Sequence, residues 1–198
     1  SIEFPKAQYK TSMSSARWDM NKQRVSLKAD ESGGKNWFYS QHPQQEGLQF
    51  AAASGEYDLK GNTILAGGVP HITVGDSYVV PDSGKVAVAA DATIKTLRNA
   101  RIVADTLQQY HKLYAGNIDV LSRKAFKGTA VHDYFNAASD SFKLTFSNYV
   151  YGNPREKKKP IYTFADAQAD EKSQFYIFPR ILYRGKIVMH ANKEHFDF

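Results

Sequence analysis

Cysteine is absent from the 198 residues, which removes disulfides, thiol nucleophiles, iron–sulfur clusters and cysteine-type zinc sites together. Leucine, normally among the commonest residues of globular proteins, occurs only 10 times, and no apolar run approaches the ~18 residues of a membrane-spanning helix. A large excess of one charge is missing too: 26 Lys and Arg stand against 20 Asp and Glu, a formal net charge of +6. A chain of this length buries roughly 70% of the surface it exposes when unfolded, so its core requires neither metal nor disulfide. The sequence begins at Ser1 without Met and ends at Phe198 within an aromatic pattern. It reads as one all-β domain over 1–198, a fragment of a larger repeat protein, with 152–160 as the place where a subdivision would fall.

What the chain has instead of leucine is 12 Phe and 12 Tyr. Aromatic and β-branched residues suit a pleated, half-buried surface. Period-two alternation runs through Val25, Leu27 and Ala29; Val69 to Val74; Val86, Val88 and Ala90; Ile118 and Val120; Phe142, Leu144 and Phe146; and Ile187 and Met189. Turn signals separate these runs at Gly33-Gly34, Lys60-Gly61-Asn62, Gly67-Gly68, Pro81-Asp82-Ser83-Gly84, Gly116-Asn117 and Gly152-Asn153-Pro154. The expected fold is all-β, built of many short stacked strands as an open β-jellyroll or a solenoid-like sheet. Residues 92–114 admit two readings, because Ile94, Leu97, Ile102, Val103 and Leu107 fit an interrupted helical stripe whereas Ala100, Ile102 and Ala104 alternate.

Trp18-Asp19-Met20 aligns with Tyr57-Asp58-Leu59 at an offset of 39 residues, which brings Val25 onto Ile64 and Leu27 onto Ala66. The physical unit is a hairpin corner in which an aromatic anchors the incoming strand and Asp accepts backbone N–H bonds in the turn. Asn21, or Gly61-Asn62, would tolerate positive φ there. A weaker third copy lies at His132-Asp133-Tyr134-Phe135-Asn136. One such unit cannot bury its own apolar face, so units of this kind stack.

The stretch from Phe50 through Gly55-Glu56-Tyr57-Asp58 and Gly61-Asn62 to Gly67-Gly68-Val69 resembles the repeat grammar of the OstA-like periplasmic family of lipopolysaccharide-transport proteins. The later runs Leu97 to Ile102, Tyr110-His111, Ile118 to Arg123 and Phe126-Lys127-Gly128 look like very large envelope proteins of Bacteroidetes whose function is unknown. The resemblance covers about residues 15 to 150. It implies a stacked β-jellyroll scaffold of the periplasm or outer-membrane region with an apolar interior groove, and it carries no catalytic residues.

The six histidines, His42, His71, His111, His132, His190 and His195, show none of the i, i+2 or i, i+3/i+4 spacings of strand or helix metal sites. In the adjacent pairs Tyr110-His111 and His132-Asp133, strand geometry sends neighbours to opposite faces. No Gly-x-Ser-x-Gly elbow or His-Glu-x-x-His run is present. No enzyme, metal or cofactor is therefore expected. The charge is local: Arg155, Lys157, Lys158 and Lys159 against Glu156 supply +3 of the +6. This run reads as a solvated loop that, beside aromatics, would grip a phosphate or sugar acid. Nucleic acid is not the expected partner, because alternation buries many of the interleaved aromatics. Trp37-Phe38-Tyr39 cannot all be buried on one face, which makes Trp37 and Tyr39 candidates for glycan contact. The leading expectation is a non-catalytic structural or binding module of the bacterial cell envelope, with neighbouring repeats as partners and no transmembrane segment. The second is handling of an amphipathic anionic lipid or glycan in an apolar groove, and the third is a hydrolase of envelope polymers.

Overall fold

A computed structural model describes residues 1–28, 36–152 and 161–198. Alternation of apolar and polar residues becomes strand almost everywhere, and no α-helix forms among the described residues. In chain order the strands are β1 (Ile2–Phe4), β2 (Tyr9–Thr11), β3 (Ser15–Asp19), β4 (Arg24–Lys28), β5 (Trp37–Ser40), β6 (Gln49–Ala51), β7 (Ser54–Asp58), β8 (Thr63–Gly67), β9 (Ile72–Val74), β10 (Ser77–Val80) and β11 (Val86–Val88). They continue as β12 (Leu97–Ala104), β13 (His111–Ser122), β14 (Ala125–Phe135), β15 (Ser141–Gly152), β16 (Tyr162–Ala169), β17 (Tyr176–Phe178), β18 (Ile181–Leu182) and β19 (Gly185–His190). The ambiguous stretch 92–114 is strand, β12 and the start of β13, because Ala100, Ile102 and Ala104 all face the core.

Three antiparallel sheets form among the described residues, the third being the β17–β18 pair alone. The large one runs β1-β2-β5-β6-β9-β10-β12-β13-β14-β15-β16-β19, and the small one β11-β8-β7-β4-β3. Over its first half the chain therefore alternates between sheets, laying one hairpin on the large sheet and the next on the small one. The sheets meet face to face: the Phe4 and Tyr57 rings lie 4.7 Å apart, and a Cβ on Gly55 of β7 would stand 2.7 Å from the Phe38 ring of β5. Tyr9, Phe38, Phe50, Leu27, Ile64 and Ile72 fill the space between. The strands flanking residues 153–160, β15 and β16, are hydrogen-bonded neighbours, with Gly152 opposite Tyr162.

The 39-residue offset reappears as geometry. Trp18 pairs with Val25 as Tyr57 pairs with Ile64, and Ala16 pairs with Leu27 as Gly55 pairs with Ala66. Asp19 accepts from the Lys22 amide at 3.1 Å, and Asp58 from the Gly61 amide at 3.1 Å. Positive φ falls at Gln23 and Asn62, so Gln23, and not Asn21, is the left-handed residue of the first corner. The third copy differs in its chemistry. At the β14–β15 turn it is Asn136 that accepts the Ala138 and Asp140 amides, whereas Asp133 lies within β14 and bonds Tyr114 across the sheet at 2.7 Å.

Strand length changes along the chain: β1 to β11 have three to five residues each. From β12 to β16 the strands run eight to twelve residues, because Gly116-Asn117, expected as a turn, sits inside β13. There Ala115 adopts positive φ and the pairing register shifts, which makes a bulge. Gly128 (φ +135) is required opposite this bulge, since a Cβ would lie 1.9 Å from the Asn117 carbonyl oxygen. Bulges bend strands. The large sheet accordingly curls back until the β9–β10 turn touches β16, where Asp76 accepts the Thr163 amide at 2.9 Å.

Candidate functional site

The residues expected to contact ligand do not gather. Trp37 and Tyr39 are half-buried on the outer side of β5, Phe38 between them is fully buried, and the Lys10 ammonium lies 5.9 Å from the centre of the Tyr39 ring. Arg155, Lys157, Lys158 and Lys159 lie outside the described residues.

Two histidines that are 21 residues apart in the chain do meet. His111 begins β13, and the shifted register of β13 on β14 brings its Nδ1 within 3.4 Å of His132 Nε2. The partners fix the tautomers. His111 Nε2 lies 2.7 Å from the Lys193 carbonyl, which only accepts, so Nε2 carries the proton and Nδ1 accepts from His132. His132 Nδ1 is then a buried acceptor without a hydrogen-bond partner. Phe196 stacks on His111 at 5.0 Å and stands edge-on to His132 at 5.1 Å. Burial pushes both imidazoles below the usual histidine range, and for His132 the neighbouring His111 adds to the effect. Nearby, His190 Nε2 lies 2.9 Å from Asp197. A relay that ends on a backbone carbonyl has no base to receive a proton, and the arrangement's visible work is to hold residues 191–198 against the large sheet. His195 is exposed. Among the described residues no three His, Asp or Glu side chains stand close enough together to hold a metal ion.

A polar cleft of about 800 Å³ opens between residues 42–45, 91–98 and the β13–β14 pair. Lys95, Arg98 and Lys127 supply its positive charge, and Asp91 and Asp119 its negative charge. Asp119 is engaged by Thr96 Oγ1 at 2.6 Å and by Lys127 at 4.0 Å. Lys95 and Arg98 make no ion pair with a carboxylate among the described residues.

The most distinctive surface is a sheet edge. Directly paired residues of antiparallel strands point to the same face, so Trp18, Val25, Tyr57, Ile64 and Val88 form one inward row across β3, β4, β7, β8 and β11. Burial decays along it: Ile64 and Val88 are fully buried, Tyr57 is 7% exposed and Trp18 is 63% exposed. β3 and the turn after it therefore carry interior residues, Trp18 and Met20, that nothing in the described chain covers. The edge strands differ in the same way. Ile94 bridges to Val88 on β11, and Asp197 bridges to Val188 on β19, whereas the outer sides of β1 and β3 pair with no described strand.

Sequence reasoning picked out Trp18 and Asp19 as parts of a corner but not as parts of a surface, because exposure here depends on where the opposite sheet stops. The cleft residues come from distant segments and left no local signal. No helix of the described chain is long and apolar enough to cross a membrane. No family model, curated protein or solved structure matches the chain.

Proposed function

We propose that the protein is a non-catalytic scaffold and strand-binding module of the bacterial cell envelope, periplasmic or associated with the outer membrane, built of OstA-like repeats whose neighbours continue its sheets. The observation that carries the reading is the uncovered edge of β3, where Trp18 occupies the inward position that Tyr57 holds one repeat later under cover. An unpaired strand is a template for another strand, and strand addition combines main-chain hydrogen bonds with side-chain pockets. By the repeat, the outer side of β3 corresponds to the side of β7 that binds β4. There Arg24 faces Asp58, Val25 faces Tyr57, and Arg24 bonds Glu56 at 2.8 Å. A peptide with the sequence of residues 22–28 should therefore protect the β3 amides from hydrogen exchange and shift Trp18 emission to the blue in a Trp37→Phe background. Absence of both effects at saturating peptide would overturn the reading.

A second reading, handling of an anionic glycan or lipid headgroup, is favoured by Lys95 and Arg98 of the polar cleft, which form no ion pair among the described residues. It replaces the expected apolar groove with a polar one, since side chains fill the described space between the sheets. Lipid A or an acidic oligosaccharide should raise the melting temperature of the native chain but not that of a Lys95→Glu, Arg98→Glu variant.

A further inference from the structure

The charge pattern of the open edge selects its occupant. β3 reads Ser15-Ala16-Arg17-Trp18-Asp19, with Trp18 on the inward face and Arg17 and Asp19 on the outer face. The strand is five residues long and lacks proline and a bulge, two of the devices that block an edge.

Consider a second copy approaching antiparallel about a two-fold axis perpendicular to the sheet. Such an axis keeps inward residues inward, so each residue must face one of its own parity. Centring the pair on Arg17 opposes two guanidinium groups, and centring it on Asp19 opposes two carboxylates. Like charges directly opposite one another are destabilising. Centring on Trp18 removes the conflict: Arg17 faces Asp19 of the other copy on both sides of the axis, Ala16 faces Met20, and the two Trp18 rings meet on the inward face. The three residues Arg17-Trp18-Asp19 are self-complementary in charge and in polarity.

We infer that two copies of this chain associate through β3, antiparallel and centred on Trp18, joining their small sheets into one ten-stranded sheet. The inference rests on the reading of β3 as an edge open to strand addition, and it names which strand comes. Contact is isologous: the same patch serves both partners, and it is consumed when they pair. Asp19 keeps its turn bond to Lys22 through Oδ1, and its second oxygen is free to meet the partner's guanidinium once Lys22, 3.8 Å away and highly exposed, turns aside.

Sedimentation of the full chain over a wide concentration series tests this. The native chain should move from monomer to dimer and revert as salt is added, with Trp18 emission shifting to the blue in the Trp37→Phe background. Arg17→Asp alone places two carboxylates against two, and Asp19→Lys alone places two cations against two. Each variant, shown folded by circular dichroism, should remain monomeric. An equimolar mixture should form heterodimers, because Asp at 17 then faces Lys at 19 and the native Asp19 faces the native Arg17. A native chain that stays monomeric, an Arg17→Asp variant that still dimerises, a mixture no more associated than its components, or species larger than two would each overturn the two-fold. The failures separate. A monomer whose β3 amides are still protected by the residue 22–28 peptide retains an open edge with another occupant, whereas a monomer that ignores the peptide loses both readings.

Discussion

The hairpin of β3 and β4 and the hairpin of β7 and β8 share a register, a turn acid and a left-handed corner residue. One has its aromatic in the open and the other has it in the core. Tyr57 packs on Phe4 at 4.7 Å and donates its hydroxyl to Asn62 at 3.1 Å, whereas Trp18 meets no opposing sheet and is mostly exposed. The difference lies outside the hairpins. The large sheet covers β7 with β1 and β5, and Trp18 on β3 lies beyond that cover. The same local unit is thus core or surface according to how far its neighbour extends.

Matched substitutions test how far that contrast goes. The largest effect is expected for Tyr57→Ala, at about 3 kcal/mol of stability, as for a buried aromatic truncated in a core; chemical denaturation measures it. Gly55→Ala should follow at roughly 1–3 kcal/mol, because the new methyl meets the Phe38 ring and Leu27. Its counterpart in the open hairpin, position 16, already holds alanine.

Acid should weaken the other end of the molecule. His111 and His132 have folded pKa values below the unfolded value of about 6.5. The unfolded chain therefore binds protons that the folded one refuses, and stability rises with pH across that interval. It is fully present above about 6.5 and falls as the pH drops toward the lowered folded values. The titratable and charged groups around the pair, His190, Asp197, Lys193 and Asp133, remain in a His132→Gln variant, which should flatten the slope in denaturation curves at pH 5 to 8. Protection of the β3–β4 amides at low denaturant should be unchanged.

Asp19→Ala and Asp58→Ala provide an internal control. Both acids serve exposed turns, so each loss should be about 1 kcal/mol and nearly equal. A large inequality would mean that cover matters even at the corner. The smallest effect belongs to Trp18→Ala, within about 0.5 kcal/mol for the monomer. A cost near that of Tyr57→Ala would show that β3 is covered after all.

Much of this was legible in the chain. The scarcity of leucine, the aromatic content and the period-two runs announce an all-β fold, and the 39-residue offset locates two hairpins residue by residue. The corner acids follow from turn chemistry alone. Other features depend on partners that no local pattern names. Gly116-Asn117 reads as a turn but becomes a bulge because β14 supplies Gly128 opposite it. His111 and His132 look independent because strand neighbours diverge, yet adjacent strands bring them together. Lys95 and Arg98 share a cleft with Lys127, about thirty residues on, only after β13 and β14 fold back. Trp18 was visible as an anchor, but whether an anchor is buried depends on the other sheet.

The bridged edges of β11 and β19 also bear on aggregation. An object adhesive at both ends lengthens without limit, which is how exposed sheet edges become fibres. Here Ile94 bridges to Val88 on β11 and Asp197 bridges to Val188 on β19, so at those points an incoming strand would first have to displace the chain's own backbone. The edges of β1 and β3, which no described strand pairs, carry no such cost.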